Sequence, residues 1–78
     1  MAKLELFGTS RCPHTSEMRE WLEWKCSEFV EYDVEADAAA LGRMREVSGG
    51  QRTVPILVED GRVVQVGWQG HGCIVDGE

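Results

Sequence analysis

The chain has 78 residues, a formal net charge of −6 and three cysteines. This length suits one small domain with a thin core, which we expect to span residues 1–78. The acidic charge argues against non-specific nucleic-acid binding, because such binding needs a basic face. No apolar run approaches the length of a membrane span, and the first residues are not a charged region followed by an apolar one. We therefore expect a cytoplasmic protein.

The residue patterning predicts the order strand, helix, strand, helix, strand, strand. A helix between the first two strands makes them parallel with a right-handed crossover. Asp60-Gly61 predicts a tight antiparallel hairpin between the last two strands. The predicted strands are 3–7, 28–34, 53–59 and 63–66; the first helix is predicted over 13–25, and the second begins after the N-cap Asp37 and stops at Gly49-Gly50. The tail, 67–78, has too few apolar residues for a third helix.

Cys12 follows the first predicted strand and precedes Pro13, the first residue of the predicted helix. Proline suits this position because it lacks the N–H that would go unpaired there and its φ is already near the helical value. The free N–H groups of the first turn, the helix dipole and the neighbouring charge of Arg11 favour a thiolate, with a pKa below the ~8.5 of free cysteine. We therefore predict that Cys12 is an exposed nucleophile; the alternative is a cysteine that is simply buried in a turn.

The other residues around this motif allow more than one role. His14 either tunes the thiolate or is a solvent-facing spacer. Thr15 either donates its hydroxyl to the Cys12 sulfur or supports the first helical turn. Cys12-x-His14 and His71-x-Cys73 contain four potential zinc ligands, although such spacings are too common to be strong evidence.

Each predicted helix has one apolar stripe. Cys26 falls on the first stripe, so we predict a core residue rather than a redox residue. It also lies roughly 20 Å along the helix axis from the helix start, too far for a disulfide with Cys12. The first stripe is Met18, Trp21, Leu22 and Cys26, and the second is Ala40, Leu41, Met44 and Val47.

Pro55 lies inside an apolar run, where a proline removes a hydrogen bond of the sheet. Two geometries are open. An ordinary trans proline at a strand edge is the one that general statistics favour, and the other is a cis proline that begins the strand after a turn. A cis bend would leave the backbone N–H and C=O of Val54 free to pair with an extended peptide, as an added strand does.

Together these motifs resemble those of the glutaredoxins. The similarity rests on Cys12-Pro13-His14-Thr15 after a strand, on the string from Gln51 to Pro55 before a strand, and on the glycine-flanked Cys73 after a hairpin. It covers about residues 3–73. The resemblance implies a thioredoxin fold, here β-α-β-α-β-β without the final helix. It also implies thiol exchange through Cys12, with glutathione as co-substrate and no tightly bound cofactor.

The resemblance also assigns glutathione contacts to particular residues. The backbone of Val54, before a cis proline, pairs with the cysteine of glutathione, and Arg52 holds one of its carboxylates. The loop at Gly72 and Cys73 binds the other end of glutathione. The full predicted binding set is Arg11, Arg52, Thr53, Val54, Pro55, Gly72 and Cys73.

Two substitutions depart from the glutaredoxin pattern. Thr15 stands where dithiol members have their second cysteine, and Ile74-Val75 replaces the usual acidic pair. An adduct on Cys12 is therefore released either by an external thiol or by Cys73, which the resemblance brings near the nucleophile. The other possibility, that Cys73 only shapes the binding groove, is equally open. The predicted catalytic set is Cys12, Thr15 and Cys73.

Two further likenesses concern the electron donor and the nucleophile. The stretch from Val66 to Gly70 is similar to the tryptophan-glycine signature of glutaredoxin-like reductants that thioredoxin reductase serves. The chain is also similar to small redoxins in which selenocysteine can occupy the position of Cys12.

We therefore expect a monomeric thiol–disulfide oxidoreductase that reduces mixed disulfides of protein substrates. Its electron donor is glutathione or thioredoxin reductase, and it needs no metal, nucleic acid or membrane. The alternative is a non-enzymatic carrier, a dimer that holds an iron–sulfur cluster through Cys12 and glutathione. Pro13-His14 stands where such carriers typically have a Gly-Phe pair, which ranks this alternative second.

Overall fold

A computed structural model describes residues 3–75. Within them the chain forms six strands and two helices, in an order that contains the six predicted elements. The strands are β1 Leu4–Gly8, β2 Phe29–Asp33, β3 Thr53–Val54, β4 Ile56–Glu59, β5 Arg62–Val66 and β6 Cys73–Ile74, and the helices are α1 Pro13–Trp24 and α2 Ala38–Ser48. The prediction for the tail extends to 76–78, which lie outside the described residues.

Four strands form one mixed sheet in the order β2-β1-β4-β5. β1 and β2 are parallel, as predicted for strands joined through a helix, and β4 pairs antiparallel with both β1 and β5. The β4–β5 turn has Asp60 at φ 53° and Gly61 at φ 82°. Positive φ at both central residues is what a type I′ hairpin turn requires, so the predicted hairpin is confirmed.

The sheet has one helix on each face. Neighbouring strand residues point to opposite faces, so Leu6 and Phe7 contact different helices. α1 covers the face that contains Leu6, and α2 covers the face that contains Phe7. The predicted apolar stripe of α2 packs on this second face. The α1 side buries Leu6, Met18, Leu22 and Leu57. The α2 side buries Phe7, Cys12, Val34, Ala40, Leu41, Met44, Val54, Ile56, Val58 and Val75. Neither helix within the described residues has the length and apolar character that a membrane span requires.

Glu5 is buried although its strand alternates charged and apolar residues. It is 1% exposed and faces α2, where the Arg43 guanidinium donates hydrogen bonds of 2.9 and 2.8 Å to its two carboxylate oxygens. The Tyr32 hydroxyl donates a third, at 3.3 Å. These hydrogen bonds, above all those from Arg43, hold the pKa of the Glu5 carboxyl below its ordinary value despite burial.

The prediction of one continuous strand over 53–59 is wrong in detail. The chain breaks at Pro55, so that Thr53–Val54 form β3 in a separate two-stranded sheet and Ile56–Glu59 form β4 in the main sheet. Proline has no N–H to donate to a ladder, which accounts for the interruption. The Val54–Pro55 peptide bond is cis.

The prediction that Cys26 lies in the core is also wrong. α1 ends at Trp24, and Cys26 is an exposed, free cysteine beyond the helix with φ 59°. Its N–H donates to the Glu23 carbonyl at 3.0 Å, and the Ser27 N–H donates to the Leu22 carbonyl at 3.1 Å. This pair of hydrogen bonds, together with the left-handed conformation of Cys26, is a Schellman cap. The helix therefore ends before Cys26, and Cys26 does not lie on the apolar stripe.

β6 is an element that the residue patterning did not predict. The chain reverses at Trp68–His71, where each of these two residues donates its N–H to the other's carbonyl, at 2.6 and 2.9 Å. The two residues between them, Gln69 and Gly70, have φ 53° and 82°. This tight turn directs Cys73 back toward β3, so that β6 pairs antiparallel with it.

Candidate active site

Cys12 occupies the position that the sequence predicts, between β1 and α1. It is the N-cap residue of α1, with extended backbone (φ −89°, ψ 115°), and Pro13 is the first helical residue. Its sulfur therefore lies at the positive end of the helix dipole. The expectation of an exposed residue is wrong for this state, because Cys12 is only 1% exposed. The tail of the chain covers it.

A disulfide bond joins Cys12 to Cys73, 61 residues further along the chain. The two Cα atoms are 6.0 Å apart, which is within the ordinary range for disulfides. The bond links the N-terminus of α1 to β6. The described residues thus form an oxidised state in which the candidate nucleophile is bonded to the cysteine that the resemblance places near it.

β3 holds β6 beside Cys12 through backbone hydrogen bonding. Thr53 pairs with Ile74 and Val54 pairs with Cys73 in an antiparallel ladder. The Cys12 Sγ lies 4.0 Å from the carbonyl oxygen of Val54. The candidate nucleophile, its disulfide partner and the strand before Pro55 therefore meet at one place.

Two aromatic contacts between the tail and α1 support this arrangement. The Trp68 ring lies against Trp21, with ring centroids 5.5 Å apart and planes tilted by 56°. The His71 ring stacks on His14, also at 5.5 Å, with planes 18° apart. Trp21 belongs to the apolar stripe predicted for α1, whereas His14 lies outside that stripe, in the first turn of the helix. His14 is therefore a packing partner of the tail and not a solvent-facing spacer.

A shallow groove runs along the disulfide. Its volume is about 240 Å³, and one wall carries the ion pair of Arg11 with Glu35. The Arg11 guanidinium donates two hydrogen bonds to that carboxylate, which raises the pKa of Arg11 above its ordinary value. The groove is lined by Thr9, Arg11, Cys12, Glu35, Cys73 and Ile74.

A comparison of the sequence with models of protein families identifies the family of the chain. The family model described as glutaredoxin matches residues 4–64, which contain Cys12 and β3. The chain belongs to the glutaredoxin family. A probable glutaredoxin of Synechocystis sp. is 37% identical over 60 residues, which cover 76% of this chain and 55% of that protein. The chain thus spans about half the length of this curated relative.

Solved structures agree with the fold. A mutant of the thioredoxin-like protein BC3987 has a TM-score of 0.77 and 33% identity, and the match covers 88% of this chain and 86% of that one. A glutaredoxin from Archaeoglobus fulgidus has a TM-score of 0.74 at 23% identity, over 88% and 78% of the two chains. The predicted thioredoxin fold is confirmed.

Six of the seven predicted glutathione-binding residues of this glutaredoxin lie in β3 and β6 or directly next to them in the chain, and Arg11 is the seventh. Thr53, Val54, Gly72 and Cys73 come together at the β3–β6 ladder. Arg52, directly before them, has an exposed side chain with no ion pair among residues 3–75, and its carbonyl accepts the N–H of Val75 at 2.8 Å. Pro55 is buried beside them, whereas the charge of Arg11 is paired with Glu35.

The structure gives Thr15 a packing position. Its side chain is 1% exposed and its hydroxyl has no hydrogen-bond partner within the described residues. Of the two roles that the sequence leaves open for Thr15, donation to the Cys12 sulfur is therefore not made in this oxidised state. Thr15 packs instead against Gly8, where an added Cβ would lie 2.3 Å from the Thr15 methyl group. This contact sets how closely the start of α1 approaches β1.

The four residues of the zinc alternative do converge, although not as a metal site. His14 stacks on His71, and the sulfurs of Cys12 and Cys73 are bonded to each other. A thiolate must be free to bind zinc. In this oxidised state, residues 3–75 contain no group of three or more His, Cys, Asp or Glu side chains arranged to hold a metal ion.

Proposed function

We propose that this glutaredoxin is a thiol–disulfide oxidoreductase in which Cys12 is the nucleophile and Cys73 is the resolving thiol. The observation that carries the proposal is the Cys12–Cys73 disulfide at the N-terminus of α1. An intramolecular disulfide at this place is the product that such a reaction leaves behind. Family membership supports the same reaction class.

The proposed reaction has two exchange steps. The Cys12 thiolate attacks one sulfur of a substrate disulfide, so that the substrate S–S bond breaks and one substrate thiolate leaves. A mixed disulfide between Cys12 and the other substrate sulfur remains. The Cys73 thiolate then attacks the Cys12 sulfur, which releases the second substrate thiolate and forms the Cys12–Cys73 bond. The substrate gains two electrons, and the protein loses the same two.

We propose glutathione as the reductant that restores the dithiol. Two molecules of the thiol supply two electrons and leave as one disulfide. The exposed guanidinium of Arg52 next to β3 is suited to a carboxylate of glutathione, since a charge-assisted pair forms readily where no other partner competes. The tryptophan-glycine stretch at Trp68 also supports thioredoxin reductase as donor.

Single cysteine variants test the division of roles. Cys12→Ser should abolish turnover of a mixed-disulfide substrate. Cys73→Ser should retain the first step and accumulate a stable adduct on Cys12, detectable by intact mass. Cys26→Ser is the matched control, because Cys26 is exposed beyond α1 and distant in sequence from both partners. Full turnover by Cys12→Ser would contradict the nucleophile assignment, and no adduct in Cys73→Ser would contradict the resolving role.

A further inference from the structure

The edge of β3 beside Cys12 is occupied by the chain itself. The occupant is residues 72–75, which we name the tail segment. Thr53 and Val54 of β3 pair with Ile74 and Cys73 of the tail segment. Beyond the ladder, the Val75 N–H donates to the carbonyl of Arg52 at 2.8 Å. This is the backbone edge where added strands bind in β-augmentation.

The residue before Cys73 fits this edge only because it has no side chain. A Cβ on Gly72 would lie 2.6 Å from the Thr53 Cγ2 and 2.7 Å from the Val54 carbonyl oxygen. One of these atoms belongs to the backbone of β3, which cannot move aside without breaking the ladder. A larger residue at this position therefore disfavours docking.

The residues after Cys73 alternate as they do in a bound strand. Ile74 is 67% exposed, whereas Val75 is 1% exposed and packs in the core on the α2 side. Side chains of an extended segment point alternately to opposite sides. Two features thus fit the tail segment to this edge: a glycine before the cysteine and an apolar residue two positions after it.

We propose that the tail segment is an internal substrate, which holds the place on β3 that an extended cysteine-containing segment of a protein substrate takes during the reaction. This inference rests on the proposed function and names its substrate class. The preferred substrate segment has a small residue before its reactive cysteine and an apolar residue two positions after it. Binding of a substrate strand and docking of the tail segment exclude each other.

The same geometry distinguishes a protein strand from glutathione at this edge. Glutathione has a single residue, glycine, after its cysteine, so it has no side chain that could take the place of Val75. A protein segment can fill both the ladder and the apolar position. The edge therefore fits the protein partner of the first exchange step more completely than it fits the reductant.

In this proposal, the tail segment docks on β3 in the same step in which Cys73 resolves the mixed disulfide between Cys12 and the substrate. A substrate strand on β3 places its disulfide at Cys12, and the first exchange leaves it bonded there. When the tail segment returns to β3, it displaces the substrate strand and brings Cys73 to the Cys12 sulfur. The Cys12–substrate bond breaks, the Cys12–Cys73 bond forms, and the substrate leaves as a thiolate. No further oxidant or reductant is needed in this step.

The test measures how fast activated peptides react with variants that lack the resolving thiol. The peptides are acetyl-Gly-Cys-Ile-Val-amide and acetyl-Val-Cys-Ile-Val-amide, each as a mixed disulfide with 5-thio-2-nitrobenzoate, whose coloured thiolate reports the reaction. The glutathione conjugate is the third probe. The proteins are Cys73→Ser, in which the tail segment can still dock, and Cys73→Ser/Gly72→Val, in which it cannot. Every protein in this test also carries Cys26→Ser, because the exposed Cys26 thiol would otherwise release the coloured thiolate itself.

We expect the Gly-Cys-Ile-Val peptide to react about tenfold faster with the double variant than with Cys73→Ser, and about tenfold faster than the Val-Cys-Ile-Val peptide. Cys73→Ser/Gly42→Ala is the control, because a Cβ on Gly42 meets nothing within 4 Å. Equal rates for the two proteins, or for the two peptides, would overturn the proposal. An equal gain for the glutathione conjugate would also overturn it, since the edge would then fit any small thiol.

Hydrogen exchange provides a readout that does not depend on Cys12 chemistry. The Val75 amide, bonded to the Arg52 carbonyl, should be protected in Cys73→Ser and should lose at least about tenfold of that protection when Gly72→Val is added. An unprotected Val75 amide in Cys73→Ser would overturn docking of the tail segment. Failure of every variant to release the coloured thiolate would instead remove Cys12 as nucleophile, while the exchange result still decides whether the tail segment docks.

Discussion

Cys73 lies directly opposite Val54 in the antiparallel ladder of β3 and β6, and its sulfur is bonded to that of Cys12. One residue therefore takes part in both a backbone pairing and a covalent bond. The pairing positions the sulfur, and the bond fixes the strand. Substitutions at this place should consequently change reactivity and local structure together, whereas substitutions elsewhere should separate the two.

Arg52→Ala tests the proposed carboxylate contact of glutathione. The variant should raise KM for glutathione roughly tenfold or more and change kcat less, because a carboxylate contact is shared by the ground state and the transition state. Steady-state kinetics with varied glutathione measure both constants. Arg62→Ala is the control, since Arg62 is an exposed arginine at the start of β5. An unchanged KM in Arg52→Ala would mean that glutathione docks elsewhere or is not the donor.

The Glu5–Arg43 pair predicts a dependence of stability on pH. The pKa of Glu5 is lowered in the folded protein, so its contribution is complete above the unfolded pKa of about 4.5 and is lost as pH falls through the lower folded value. Glu5→Gln should lower the free energy of unfolding by about 1–2 kcal/mol at pH 7. This difference from the parent should shrink steadily below about pH 4.5.

Urea denaturation at several pH values measures this effect. Glu20→Gln is a suitable control, because Glu20 is exposed on α1 and forms no ion pair among the described residues. Its difference from the parent should be small at every pH. A Glu5→Gln difference that stays constant from pH 7 to pH 3 would show that the charge of Glu5 does not contribute.

The main sheet and both helices could be predicted because local signals agree with tertiary packing there. Asp37 shows this agreement: its side chain accepts the N–H groups of Ala39 and Ala40 at 3.0 and 3.3 Å, as the capping prediction requires. The apolar stripe of α2 faces the sheet as its spacing indicates. The position of Cys12 at the start of α1 followed from the same kind of local evidence.

The tail could not be predicted, because its strand depends on a distant partner. β6 has two residues and becomes a strand only by pairing with β3. A usable signal existed in Gln69-Gly70, which forms the tight turn, although glutamine is not a typical residue there. Glu5 was missed for a related reason: burial of a carboxylate requires Arg43, which comes 38 residues later.

Thr15→Val tests whether the buried Thr15 hydroxyl makes no hydrogen bond in the folded protein. The hydroxyl has no partner within the described residues, and valine has the same shape without the polar atom. The free energy of unfolding of the oxidised protein should therefore rise by about 1 kcal/mol, measured by thermal or urea denaturation. A loss of stability would reveal a hydrogen bond. A higher pKa for Cys12 in the reduced variant would show that the hydroxyl turns to the sulfur once the disulfide opens.

Reduction of the Cys12–Cys73 disulfide should lower the stability of the protein strongly. The bond closes a loop with a sequence separation of 61 residues, and loop-closure entropy for that length corresponds to about 4 kcal/mol. For a domain of this size the melting temperature should fall by roughly 15–30 °C. Thermal denaturation with and without a reductant that does not absorb, such as a phosphine, measures the change.

The double variant Cys12→Ser/Cys73→Ser is the control for that experiment, because it cannot form the bond. It should melt at the same temperature with and without reductant, close to the reduced parent. Cys26→Ser should keep the full response, since Cys26 is free in the oxidised protein. A parent protein whose melting temperature does not respond to reductant would show that the contacts of Trp68 and His71 with α1 hold the tail without help from the disulfide.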